Sequence, residues 1–128
     1  AIPSLEVTIQ PSHTSSKILL LAMVNSNAIH VNTCGFLRNN SILTDGLAGN
    51  TNVSSGSVST TYTGDSTEAH MMNKFMMYMD HPNTTVPQTY SVGAASSWNG
   101  TTYNLYINDR DDQDMRSISS LLAIEIRG

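Results

Sequence analysis

Four aspartates follow one another closely near the end of the chain: Asp109, Asp111, Asp112 and Asp114. Oxygen ligands at such short spacings are typical of Ca²⁺-binding loops. The run lacks the glycine that an EF-hand needs at its sixth position, and Ser120 stands where that loop would end in a glutamate. We therefore predict a solvated acidic turn and no metal site, with a weak calcium site at these four aspartates as the alternative.

No other group of reactive side chains has the spacing of a catalytic or metal site. The four histidines, His13, His30, His70 and His81, are scattered, and none lies at the i, i+2 or i, i+4 spacing typical of zinc sites. The single cysteine, Cys34, has apolar neighbours and is predicted to be a small buried residue. The sequence contains no G-x-S-x-G elbow, P-loop or H-E-x-x-H motif, and no motif of paired carboxylates. We predict that the protein is not an enzyme and uses no cofactor.

Aromatic side chains stand in or near predicted loops, among neutral polar residues. Trp98 and Asn99 lie in the segment SSWNGTT, and Tyr103 and Tyr106 follow. Aromatic faces and neutral hydrogen-bonding groups suit contact with a saccharide or a protein. These four residues are therefore the predicted binding residues, with core packing as the alternative for each aromatic side chain.

Five of the seven methionines lie in the segment HMMNKFMMYMD, residues 70–80. Helical and strand spacing both fit this segment, but its strand context and the HPN breaker that follows favour a strand with both faces covered. Methionine fills gaps in cores and also forms adaptable contact surfaces. The alternatives are therefore core packing and a subunit interface, and the predicted interface residues are Met71, Met72, Met76, Met77 and Met79.

The segments at the start of the chain set the fold class. Residues 5–10 alternate between apolar and polar, as in a strand with one solvated face. Residues 18–24 are apolar at both alternating positions, which predicts a strand covered on both sides. Residues 34–43 are predicted to form a hairpin, with Asn39 and Asn40 in a two-residue turn.

Later segments complete the pattern. Residues 44–65 predict a surface excursion with a short edge strand, and residues 86–92 and 101–108 predict two more strands. The first of these places Val86, Tyr90 and Val92 on one side. The closing strand, residues 117–126, is predicted to carry these side chains inward: Ile118, Leu122, Ile124 and Ile126. Together the patterns predict an all-β fold, an antiparallel β-sandwich resembling a jelly roll, with seven or eight strands in a single domain over residues 1–128.

Composition excludes two classes of partner. Charged residues make up only 12% of the chain, the formal net charge is −4, and no basic cluster is present, which excludes a nucleic-acid-binding protein. The longest apolar run, residues 18–24, is seven residues long and too short for a membrane span. We expect neither nucleic acid nor membrane insertion.

Five segments, in order and spacing, resemble a β domain of tail-fibre and other virion surface proteins of tailed bacteriophages. They are LEVTIQPSHTSSKILLLAMV within residues 4–24, GFLRNNSIL at 35–43, YMDHPNTTVPQTYSV at 78–92, YNLYIND at 103–109 and SISSLLAIEI at 117–126. The methionine-rich strand and the acidic turn are not part of the family pattern.

The resemblance implies a homotrimeric, non-enzymatic structural module on the virion surface, outside the cell, without a cofactor. It implies either the adhesive domain of a tail fibre or a head decoration protein. The expected partners are other virion proteins and a host surface glycan. The alternative function is that of a cellular carbohydrate-binding protein, or of a β-sandwich that forms a lattice or filament.

Overall fold

The computed structural model describes residues 1–28, 31–43, 59–62, 71–98, 101–109 and 117–128. In these ranges the chain forms ten β-strands and no helix. The strands are β1 (Glu6–Ile9), β2 (Lys17–Ala28), β3 (Val31–Arg38), β4 (Ser41–Ile42), β5 (Ser59–Tyr62), β6 (Met72–Asp80), β7 (Gln88–Trp98), β8 (Thr101–Thr102), β9 (Leu105–Ile107) and β10 (Ser120–Ile126). Within the described ranges, no helix is long and apolar enough to cross a membrane.

The strands form two antiparallel sheets. The first has the order β1-β7-β3-β4, with β5 also paired to β3 and β8 to β7. The second has the order β10-β2-β6, with β9 also paired to β2. Some consecutive strands, such as β1 and β2 or β6 and β7, lie in opposite sheets, whereas β3, β4 and β5 lie in the first sheet and β9 and β10 in the second. The prediction of an all-β fold with antiparallel sheets is confirmed.

One hydrophobic core joins the two sheets, because successive side chains of a strand point to opposite faces. Ile18 and Leu20 of β2 are fully buried, as are Phe36 of β3 and Tyr90 of β7. All four belong to the same core cluster. Burial of one large apolar side chain contributes about 1.5–3 kcal/mol, so this shared cluster is the main attraction between the sheets.

The β3–β4 hairpin has the two-residue turn that the sequence predicts. Asn39 and Asn40 have φ values of 50° and 66°, a conformation that asparagine tolerates in tight turns. The Asn39 side chain also joins the turn to β7. Its Nδ2 donates to Gln88 Oε1 at 2.9 Å, and its Oδ1 accepts from the Thr89 N–H at 3.0 Å. The turn is therefore fixed to the neighbouring strand as well as to its own hairpin.

β2 continues to Ala28, beyond the apolar run that predicts it. Its last part is polar and yet buried, with Ser26 and Asn27 almost fully covered. Ser26 Oγ accepts from Asn32 Nδ2 at 2.7 Å, and β9 pairs with this end of β2. Hydrogen bonds stabilise this end of the core. The apolar run in the sequence therefore ends at residue 24, whereas β2 continues to Ala28.

The second sheet is open on its outer side. Residues 18–24 and 72–80 form strands, as predicted, but the prediction that both faces are covered is wrong for the single chain. Phe75 is 68% exposed and Met77 61% exposed. The physical reason is that the first sheet packs on the inner side only, against core residues such as Met76.

The closing strand is present as β10, but its faces are the reverse of the prediction. Its predicted inward residues are exposed by 78%, 51%, 41% and 40%, in the order Ile118, Leu122, Ile124 and Ile126. Leu121 and Ala123 pack against the core instead. Register explains the reversal, because Leu121 lies opposite the buried Ala22 of β2 and Leu122 lies opposite Leu21 on the outer side.

The remaining predicted segments agree with the structure only in part. Val86 is exposed in the turn before β7, so it does not share the buried face of Tyr90 and Val92 as predicted. The strand predicted at 101–108 is divided into β8 and β9. The short edge strand predicted within 44–65 corresponds to β5, which pairs with β3; the rest of that segment lies outside the described residues.

Candidate interaction surface

The outer side of the second sheet carries a continuous set of apolar side chains, which we call the apolar face. Because side chains alternate along each strand, every second residue points to this side, and three of these residues in each strand are apolar. They are Leu19, Leu21 and Met23 of β2, Phe75, Met77 and Met79 of β6, and Leu122, Ile124 and Ile126 of β10. Ile118 is exposed immediately before β10.

Strand register aligns these side chains in rows across the sheet. The three rows are Leu122–Leu21–Met77, Ile124–Leu19–Met79 and Ser120–Met23–Phe75. Directly opposed side chains have Cβ atoms about 4.5–5.5 Å apart, close enough for apolar contact. The apolar face is therefore one surface, with β2 along its middle.

Polar residues mark the two ends of the apolar face. At one end, Asn73 Nδ2 donates to Asn25 Oδ1 at 2.9 Å. At the other end, Lys17 lies opposite Ile126. Between these ends, the outward positions of the three described strands carry no charged side chain. The surface has no charge with which to recognise a charged partner.

The exposed area is large for a single chain. If a fully exposed side chain of this size presents roughly 200 Å², the seven most exposed members present on the order of 700 Å². The largest apolar patch on a typical monomer is about 300–600 Å², and patches above that range mark interaction sites. A surface of this size and composition is therefore typical of a site that associates through apolar contact.

An ion pair between the buried Asp80 and the half-buried Arg38 links the two sheets. Asp80 of β6 accepts from Arg38 Nη1, with 2.8 Å to Oδ2 and 3.1 Å to Oδ1. The Tyr90 hydroxyl donates to Asp80 Oδ2 at 2.7 Å. Burial first, and then this hydrogen bond, raise the pKa of Tyr90. A phenol held in this way is a poor base and a poor nucleophile, so the network joins β3, β6 and β7 and has a structural role.

Lys74 of β6 is also buried, with only 2% of its surface exposed. Its Nζ donates to Ser26 Oγ at 3.3 Å. Burial lowers the pKa of Lys74 and raises the pKa of the Cys34 thiol. A lowered lysine pKa is a property of catalytic amines, but an amine closed between two sheets cannot contact a substrate. Lys74 therefore belongs to the polar end of the core.

The predicted interface methionines are divided between the two sides of β6. Met77 and Met79 belong to the apolar face, whereas Met76 is in the core with 2% exposure. Met72 begins β6 opposite Ser26, and Met71 precedes it; both are half-buried. The methionine run therefore supplies two of the nine members of the apolar face.

Of the predicted binding residues, Trp98 and Tyr103 lie near the end of β7, and Tyr106 lies in β9, opposite Asn27 of β2. Trp98 is the last residue of β7, opposite Thr101 of β8; its side chain and Asn99 lie outside the described part of the chain. Tyr103 and Tyr106 are half-buried, and the Tyr103 N–H donates to the Ser96 carbonyl at 3.0 Å. A binding role for these residues stays a prediction.

The acidic turn is described only at Asp109; Asp111, Asp112 and Asp114 lie outside the described residues. In the ranges that are described, no group of three or more histidine, cysteine, aspartate or glutamate side chains could hold a metal ion.

Seven members of the apolar face were not predicted as interface residues. The sequence carries a signal for them, because β2 and β6 are apolar at both alternating positions and one chain covers only one side of each. A strand that is apolar on both faces indicates a second covering layer, and that layer need not come from the same chain.

Comparisons of the chain with protein-family models, curated proteins and solved structures find no match.

Proposed function

We propose that this protein is a non-enzymatic structural protein of a bacteriophage virion surface that assembles as a homotrimer. It acts either as the adhesive domain of a tail fibre or as a head decoration protein. The observation that carries the proposal is the apolar face. On the order of 700 Å² of exposed, uncharged apolar surface suits permanent assembly and gives no chemical means of turnover.

The resemblance of five sequence segments to phage surface proteins supports the location on a virion. In detail, we propose that the fold is a jelly-roll-like β-sandwich. Eight of the described strands have three residues or more, since only β4 and β8 have two. The crossings from one sheet to the other between β1 and β2, β2 and β3, and β6 and β7 also support that topology. Trp98, Asn99, Tyr103 and Tyr106 are the proposed contact residues for a host surface glycan.

Quantitative mass spectrometry of purified virions of the phage that encodes the chain tests this function. A head decoration protein is expected in hundreds of copies per particle, and a fibre domain in tens or fewer. Absence from the particle contradicts the proposal and favours a cellular carbohydrate-binding or lattice-forming protein. Turnover of any glycan or ester by the pure protein contradicts its non-enzymatic part.

A further inference from the structure

We infer that the apolar face is covered by the apolar face of further copies of this chain. The inference deepens the proposed function, and it rests on that proposal only for the number of copies. The interface then consists of the three rows centred on Leu19, Leu21 and Met23 of β2, together with their partners on β6 and β10.

The exposed area agrees with a self-association interface. Two faces of on the order of 700 Å² bury about 1,400 Å² in a dimer, and three bury about 2,100 Å² in a trimer; both totals reach the range of about 1,200–2,000 Å² found for stable protein interfaces. A smaller apolar patch would leave most of such an interface to be supplied by other surfaces. Here one sheet face supplies the whole area.

The chemistry of the face favours a copy of the same chain over a different partner. Obligate homo-oligomer interfaces resemble a domain core cut in half, and the apolar face carries large aliphatic side chains, as the core face of β2 does. Leu19 and Leu21 alternate on β2 with the core residues Ile18 and Leu20. Packing two such faces brings no like charges together, because Lys17 lies at the edge.

The width of the face suits three copies around an axis. Three strands at about 4.8 Å spacing span about 14 Å, and three such faces enclose a triangular space with walls about 4–5 Å from its axis. Packed sheets are separated by about 10 Å, so one layer of side chains from each copy fills this space. Leu21, in the middle row of the middle strand, then lies nearest the axis.

Analytical ultracentrifugation of the full chain at increasing concentration tests the inference. We expect a wild-type mass of three times 13.9 kDa. Met77→Glu should shift the protein to monomer, because it places an unpaired charge in the interface and weakens association by roughly a hundredfold or more. Thr8→Glu is the matched control, since Thr8 is an exposed strand residue of the first sheet, and it should leave the mass unchanged.

The remaining outcomes separate this inference from the proposed homotrimer. Leu122→Lys on β10 is a second variant in case Met77→Glu fails to fold, and circular dichroism with a cooperative thermal transition shows which variants are folded. A trimer that survives both substitutions overturns this inference and leaves the homotrimer standing. A dimer that both substitutions dissociate supports the inference and overturns the trimer. A wild-type monomer at every concentration overturns both.

Discussion

Leu21 of β2 and Met77 of β6 lie directly opposite each other on the outer side of the second sheet. Their neighbours along the strands, Leu20, Ala22 and Met76, are buried in the core on the other side. The central strand pair of this sheet is therefore apolar on both faces, while the chain itself covers only one. This relationship is the physical basis for the proposed role in assembly.

The register of β10 predicts that substitutions of two adjacent leucines change the free energy of unfolding by different amounts. Leu121→Ala should lower the free energy of unfolding by about 1–3 kcal/mol, because Leu121 packs against the core. Leu122→Ala should change it by less than about 0.5 kcal/mol, because Leu122 is exposed in the single chain. Urea denaturation of both variants in a monomeric Met77→Glu background measures the difference. Equal effects, or a larger effect of Leu122→Ala, contradict the register.

Lys74 is predicted to destabilise the fold at neutral pH. Lys74→Met keeps a long side chain and removes an amine that is buried between the sheets, so the free energy of unfolding at pH 7 should rise by about 1–2 kcal/mol. Lys74→Ala is the control for volume, because it leaves a cavity and should not give this gain. Chemical denaturation of the wild type, Lys74→Met and Lys74→Ala measures the three free energies of unfolding. A lower value for Lys74→Met than for the wild type would show that the amine stabilises the fold.

The same lysine should contribute to the pH dependence of the free energy of unfolding at alkaline pH. The unfolded chain holds the proton of Lys74 up to its ordinary pKa of 10.5, whereas burial lowers that pKa in the folded protein. Between the two values the unfolded chain binds more protons, so the free energy of unfolding increases with pH. The raised pKa values of Cys34 and Tyr90 act in the opposite direction at alkaline pH, so the slope of the free energy of unfolding against pH should be more positive in the wild type than in Lys74→Met. Identical pH profiles of the two proteins would exclude Lys74 as its source.

Glu125 predicts the behaviour of the fold in acid. Its Oε1 accepts from the Ser12 hydroxyl and from the Ser12 N–H, both at 2.6 Å, and so ties the β1–β2 turn to β10. The Ser12 hydroxyl first, and then the Ser12 N–H, lower the pKa of Glu125 from 4.5 to about 2. Because the pKa is lower in the folded protein, the stabilisation is present above pH 4.5 and is lost as the pH falls toward 2.

Glu125→Gln should therefore reduce the thermal stability at pH 7 and weaken its pH dependence in this acid window. Thermal denaturation of the wild type and of Glu125→Gln between neutral pH and pH 2 is the measurement. If the difference between the two melting temperatures does not shrink in acid, the carboxylate is not the group responsible.

The ion pair of the core predicts coupled effects of two substitutions. Asp80→Asn removes the charge that Arg38 and Tyr90 share, and should lower the free energy of unfolding by about 1–3 kcal/mol. Tyr90→Phe removes one hydrogen bond and should cost about 1 kcal/mol. The double variant should lose less than the sum of the two, because both substitutions break the same contact. Strict additivity in a double-mutant cycle would show that the groups act independently.

Much of the fold follows from elementary patterns in the sequence. The alternation in residues 5–10 predicts β1, and the pair Asn39–Asn40 predicts the β3–β4 turn, because both depend on local conformation. The polar end of β2 could not be predicted, since Ser26 is buried with hydrogen bonds from the side chains of Asn32 and Lys74, and Asn27 pairs with β9. The periodicity of apolar residues along the sequence carries no information about such hydrogen bonds.

The residues of β10 that point to the core could not be predicted, for a different reason. Leu121 and Leu122 are both apolar, and the larger side chains of the segment, Ile124 and Ile126, follow the phase of Leu122. A pattern of this kind assigns the larger side chains to the core. The structure places the smaller Ala123 inside instead, where β2 already supplies isoleucine and leucine, and the larger residues form part of the apolar face.

The most direct test of the central claim is an NMR measurement of contacts between chains. A sample mixed from methyl-labelled and unlabelled protein, recorded with isotope filters, reports only nuclear Overhauser effects between different copies. The account predicts contacts from the Met77 and Met79 methyl groups of one copy to Leu21 and Leu122 of another. Contacts between copies that arise only from other surfaces, with the apolar face open to water, would contradict it.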